Sequence, residues 1–329
     1  MIRDARAAFA IVAALSLSAC LDVNFDPASI VAGPRILGIQ ANPPEALFGE
    51  DVRFRVLALD ATGADLTARD DVRVEWTVCL SIEQILRASG FTGSSGFAAG
   101  CSPEETLVLA HDGAPGRAIL PGELLLDVVT RIPMTPPDEP IVDPMIPGID
   151  PEAHSNLATI IAEVGVPLAV RVEIYRGEEL LANAFKRFAI TTRSGATLNP
   201  PPPRFSIGER EVSARRIEAP HDCVSADGAP ATVIAGGEVT LAPDPNEDPW
   251  LETYPVFDLG GRIIENQESA YYSWFSTAGG FSRGVTRRPD RDVTWRAPAE
   301  PGTYPLWVVV RDGHLGTSWC RADVVVNAP

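Results

Sequence analysis

The sequence predicts a mainly β protein of two tandem domains, the first with short helical insertions. Three observations carry this. Apolar residues recur at every second position in several separate runs, the period of half-buried strands. The 329-residue chain is 45% hydrophobic yet is punctuated by 30 Pro and 27 Gly. Asn199 is followed by Pro200, Pro201, Pro202 and Pro203, which deny the backbone its donors and favour an extended spacer. The domains are therefore expected at 34–198 and 204–329, with 199–203 as linker.

In the first domain Val52, Phe54 and Val56 alternate with Arg53 and Arg55, and Val72, Val74, Trp76 and Val78 repeat the period. The turn chemistry of Asp60 to Gly63 separates the two runs. Leu168, Val170, Val172 and Ile174 mark a further strand, Arg176-Gly177 a turn, and Phe188 and Ile190 a returning strand. Two insertions interrupt this mostly antiparallel pattern. Ser81 and Gln84 match a capping box before Ile85 and Leu86, which predicts a short helix. Asp150 as N-cap, Pro151 at the first helical position and Gly165 past the end frame a second, with Leu157, Ile160, Ile161 and Val164 on one face. Residues 133–151 are too rich in proline for a central strand and are expected to form an exposed loop.

In the second domain Glu238 to Leu241 starts a strand, Tyr272 and Trp274 mark a buried one, and Val293-Thr294-Trp295 another. From Tyr304, Leu306, Val308 and Val310 form one face of a long strand. Asp312-Gly313 ends it, and Cys320, Ala322, Val324 and Val326 return, so a long hairpin is predicted.

Charge and ends narrow the setting. Lys and Arg number 27 against 44 Asp and Glu, a net charge of -17, which supplies no large basic face for nucleic acid. Arg3 and Arg6 precede an apolar run from Ala7 to Leu17 that is too short to span a bilayer, the pattern of a secretory signal over 1–19. Residues 20–33 lack periodicity and are expected to be a tether.

Export implies an oxidising compartment. Cys79, Cys101, Cys223 and Cys320 then predict two disulfides; three connectivities exist, and Cys79–Cys101 with Cys223–Cys320 keeps each pair within one domain. Their spacing and the scattered histidines fit no zinc site, and no metal or other cofactor is expected.

Leu17-Ser18-Ala19-Cys20 resembles the bacterial lipobox. The resemblance implies that Cys20 becomes the acylated N-terminus, carrying diacylglycerol and palmitate-type chains as a membrane anchor. Leu21 in place of Asp implies the outer membrane. The run from Pro301 to Trp319 resembles the last two strands of bacterial immunoglobulin-like (Ig-like) and PKD-like domains. Trp274 sits where such domains place a core Trp, and Tyr304 where a tyrosine corner falls. Residues 34–56 and Trp76 resemble the opening strands and core Trp of the same fold, so two Ig-like β-sandwiches in tandem are implied. With the lipobox, these segments also resemble lipoproteins of myxobacteria and their relatives.

Reactive constellations are sparse. Gly280-Phe281-Ser282-Arg283-Gly284 matches the G-x-S-x-G nucleophile elbow, but the helix that must follow is denied by Arg287-Arg288-Pro289. Asp244, Asn246 and Asp248 have the spacing of a calcium loop, with Pro249 where the turning Gly belongs; a solvated acidic turn is the default. Trp307, opposite in phase to Leu306 and Val308, is the candidate ligand-facing aromatic. The expectation is a lipid-anchored, non-catalytic binding or structural module for an envelope protein or polysaccharide. The alternative is a carbohydrate-binding or accessory subunit of a surface enzyme or secretion system; a hydrolase lidded by 133–151 ranks third.

Overall fold

The alternating runs become strands facing one another across two successive apolar layers. A computed structural model describes residues 28–79, 105–125, 164–193, 197–214, 222–244, 250–257 and 263–329. The signal segment, Cys20, Cys101, both expected helices, the 133–151 loop, Asn246 and Asp248 lie outside the described residues.

The first sandwich comprises β1 (Arg35–Asn42), β2 (Glu45–Leu47), β3 (Val52–Leu59), β4 (Arg73–Cys79), β5 (Thr106–Val108), β6 (Ala110–His111), β7 (Arg117–Leu120), β8 (Val166–Arg176) and β9 (Glu179–Thr191). One sheet runs β1-β3-β7-β6 and the other β2-β9-β8-β4-β5. The chain changes sheet between β1 and β2, so that β2 pairs parallel to β9 while the remaining pairs are antiparallel. Phe54 fills the space between the sheets, 6.2 Å from Trp76 and edge-on to Phe188 at 5.2 Å between centroids. Trp76 is fully buried and donates its indole N–H to Pro115 O at 3.0 Å, which satisfies its one polar atom.

The second sandwich comprises β10 (Phe205–Ile207), β11 (Arg210–Ala214), β12 (Cys223–Val224), β13 (Ala231–Ile234), β14 (Glu238–Pro243), β15 (Thr253–Phe257), β16 (Ile263–Gln267), β17 (Tyr271–Ser276), β18 (Gly280–Phe281), β19 (Val285–Arg287), β20 (Val293–Arg296), β21 (Gly302–Arg311) and β22 (Thr317–Asn327). Its sheets run β12-β11-β10-β14-β20-β18 and β13-β22-β21-β17-β19, with β15-β16 as a separate hairpin. Here β13 lies parallel to β22, as β2 does to β9. Each unit thus lays a short strand parallel to the last strand of a long hairpin and faces that sheet with a second one: two Ig-like sandwiches in tandem.

Trp274 is core, as expected, and donates to Thr286 Oγ1 at 2.9 Å. Tyr304 Oη donates to Glu300 O at 3.0 Å, closing a tyrosine corner. The Cys223–Cys320 disulfide joins β12 in one sheet to β22 in the other, with 5.6 Å between Cα atoms. Cys79 is disulfide-bonded as well; its expected partner, Cys101, lies outside the described residues.

Two expectations about the connections are corrected. Residues 199–203 do not act as a spacer. Asn199 donates to Ala41 O at 2.7 Å and accepts from Thr317 N at 2.9 Å, so one side-chain amide ties the linker to both sandwiches. Pro200 and Pro203 are buried. The end of the 20–33 segment is docked: Val31 N donates to Ser276 O at 2.9 Å, Ser276 N to Ser29 O at 3.0 Å, and Val31 is fully buried. Ile30 and Val31 give that short stretch the apolar surface that holds it there.

Candidate binding site at the junction of the sandwiches

Leu306, Val308 and Val310 point into the second core, and the opposite face of the same strand is buried as well. Trp307 (2% exposed), Val309 and Trp319 pack against Val31, Leu37 and Leu59 of the first part of the chain in a third apolar cluster. Trp307 is therefore not a ligand-facing aromatic. A strand buried on both faces reads as a continuous apolar run, and residues 306–310 are one. The Asp60–Gly63 turn closes over the indole: a Cβ on Gly63, at φ +79, would come within 2.5 Å of Trp307.

Polar groups frame this apolar seam. Gln40 Nε2 donates to Thr317 O at 2.5 Å and to Ser318 Oγ at 3.2 Å. Arg311 Nη2 donates to Leu37 O at 2.9 Å, and Lys186 Nζ to Thr317 Oγ1 at 2.8 Å. Burial pulls the Lys186 ammonium down to about 8, with the Asp312 carboxylate opposing the shift. Burial pushes Glu268 up to about 8 and Asp312 above its ordinary range, and it holds His314 down to about 3. The His314 ring stacks on Tyr254 at 3.7 Å between centroids. These are structural groups: Glu268 and Asp312, 3% and 1% exposed, are shut away from solvent.

Where the seam opens, a cleft of about 490 Å³ remains. Its floor is the outward face of β3 and β7, with Arg53, Arg55 and Arg117; its far wall is Pro200 to Pro202 and Ser318. The alternation that buries Val52, Phe54 and Val56 turns Arg53 and Arg55 outward. Arg53 pairs with Asp112 at 2.8 Å. The Arg55 guanidinium lies over the Trp319 ring, 4.6 Å from its centroid, and burial with the neighbouring Arg117 charge lowers it to about 10, so it stays protonated at neutral pH. Ser318 Oγ donates to Pro200 O at 2.5 Å, which commits the one hydroxyl among the described residues of the cleft to structure. The arrangement offers groups that bind, and among the described residues it holds no nucleophile beside a base.

The remaining candidates are dispersed. Ser282 Oγ accepts from Thr294 N at 3.1 Å at a sheet edge. Asp244 lies 4.0 Å from Arg204 Nη1. Among the described residues no cluster of three or more metal-ligating side chains occurs. Arg53 and Arg55 were visible in the sequence only as the polar phase of a strand, and Arg117 carried no signal there.

No protein-family model matches the sequence, and no curated protein matches it. Solved structures give low-similarity matches. The D00–D0 domain of intimin is 11% identical over 88% of this chain and 100% of that one, with a TM-score of 0.20. Fibronectin(III)-like modules of Clostridium thermocellum CbhA are 9% identical over 88% and 95%, at 0.23. A nucleoside hydrolase-related protein of Saccharophagus degradans is 16% identical over 32% of this chain and 24% of that one, at 0.20. This chain spans about a quarter of the latter's length. Likenesses of this size carry no argument about activity.

Proposed function

We propose that the chain is a lipid-anchored, non-catalytic module of the bacterial outer membrane whose inter-sandwich cleft engages another envelope component. The observation that carries this reading is the cleft: charged and polar groups converge on an open space between two sandwiches that share a buried seam, and among the described residues no nucleophile–base pair accompanies them. The anchor rests on residues 1–20, where a charged start, a short apolar run and a lipobox-like ending coincide.

Replacing Cys20 by Ala and fractionating cells tests the anchor: the protein is expected to move from membranes to the periplasm, and continued membrane attachment would overturn it. Crosslinking the tagged full chain in cells, followed by mass spectrometry, tests the partner. A reproducible envelope protein supports the reading. Polysaccharide in its place moves the account to the carbohydrate-accessory alternative.

A further inference from the structure

The geometry points to an oxyanion site in the junction cleft: Arg55 and Arg117, with Arg53 at the rim, take a carboxylate or phosphate group carried by the bound component. This rests on the reading of the cleft as the binding site and adds the chemistry of what fills it.

Arg55 on β3 stands directly opposite Arg117 on β7 in an antiparallel ladder. Like charges placed opposite one another across a sheet are destabilising. Among the described residues neither guanidinium makes an ion pair; Asp112, the one carboxylate lining the cleft, is paired with Arg53. Three guanidiniums therefore face one carboxylate in a chain whose net charge is -17. An anion between Arg55 and Arg117 turns this repulsion into two attractive contacts.

Arg55 lines the cleft, and its guanidinium is the part of the side chain that an anion there would meet. A guanidinium is a planar fork of in-plane donors. The guanidinium carbon of Arg55 lies 4.6 Å from the Trp319 ring centroid, so the indole holds the fork where Arg55 lines the cleft. Such a fork matches the two oxygens of a carboxylate or phosphate. A cleft of about 490 Å³ lies in the range that holds small ligands, enough for an anionic group together with the unit that carries it, such as a sugar acid or a phosphorylated sugar.

The test is titration calorimetry with melting curves on the full chain, using inorganic phosphate, galacturonate and, as the neutral counterpart, galactose. Phosphate, galacturonate or both are expected to bind and to raise the melting temperature; which of them binds assigns the source as phosphoryl or sugar acid. Galactose is expected not to bind. Arg117→Gln should weaken anion binding at least tenfold while the unliganded protein melts at or above the wild-type temperature, because the repulsion with Arg55 is gone. A merely structural Arg117 would lower the melting temperature instead. Arg53→Gln, at a side chain 55% exposed, provides a second variant expected to weaken binding without unfolding. No anion binding to the wild type, equal binding of galactose, or unchanged anion affinity in both variants would overturn the inference. A cellular crosslink from the cleft without anion binding defeats this inference alone; anion binding without an envelope adduct defeats the functional reading alone.

Discussion

Truncating Trp307 to Ala separates a structural seam from a ligand platform. The indole is 2% exposed, packs with Val309, Trp319, Leu37 and Leu59, and sits under the Gly63 turn. Burial of this degree places the loss in the range of large core truncations, about 3–5 kcal/mol, since neighbours held by two sheets collapse only partly into the space. Because the cluster joins residues of both sandwiches, the loss should also uncouple them. Urea unfolding followed by tryptophan fluorescence and by far-ultraviolet circular dichroism should show a lower midpoint and two separated transitions where the wild type shows one. Gly63→Ala should act in the same direction, because it places a Cβ against Trp307 at a backbone angle that disfavours side chains. A loss within about 0.5 kcal/mol for Trp307→Ala, the scale of ordinary surface substitutions, would refute the reasoning.

Stability should depend on pH through the polar groups of the seam. Glu268 has its carboxyl raised from 4.5 to about 8, so the folded state keeps a proton the unfolded chain releases, and its contribution declines as pH rises toward 8. His314 is lowered from 6.5 to about 3, so its contribution is present above 6.5 and is lost as pH falls toward 3. The urea midpoint should therefore fall on both sides of mildly acidic pH, and Glu268→Gln should make the alkaline decline shallower; an unchanged alkaline limb would show that Glu268 does not govern it. Replacing Cys223 and Cys320 together by Ser should cost about 2–5 kcal/mol, because the bridge closes a separation of 97 residues, and equilibrium unfolding measures it. Glu45→Ala should cost about 3–5 kcal/mol, since Glu45, 2% exposed, accepts from Arg193 at 2.7 Å and Thr197 N at 2.7 Å and its loss leaves a partly buried guanidinium unpaired. A loss below about 1 kcal/mol would show the pair to be solvent-screened.

Sequence reasoning reached the sandwiches because strand periodicity is local. Val52, Phe54 and Val56 bury one phase of β3, and the hairpin from Tyr304 to Val326 follows from two alternating runs around Asp312-Gly313. Trp274, Tyr304 and the Cys223–Cys320 pair could be placed because each has a role fixed within one domain. The junction was harder, since it joins positions far apart in sequence. Trp307 was read as the wet phase of its strand, although the unbroken run of apolar residues around it is the mark of a strand covered on both sides. Arg53 and Arg55 read only as the residues alternating with the apolar phase of a half-buried strand, and the opposition of Arg55 to Arg117 exists only once β3 and β7 pair. Asp312 was legible as a turn residue; nothing in its surroundings announced that the turn would be buried against another sandwich. The proline run misled for a physical reason. Four rings do stiffen a chain, but Asn199 beside them satisfies backbone groups on both sandwiches and turns the segment into a strap.

The most direct test of the account is site-specific photo-crosslinking in cells, with the probe at Asn42 on the cleft wall and, for comparison, at Ile234, an exposed residue of β13 that does not line the cleft. Engagement of an envelope component by the cleft requires an adduct from Asn42 with none from Ile234; the anion site adds that the Asn42 adduct diminishes in the Arg117→Gln background. Equal labelling from both positions, or none from Asn42, would contradict the claim that the junction of the two sandwiches is the binding surface.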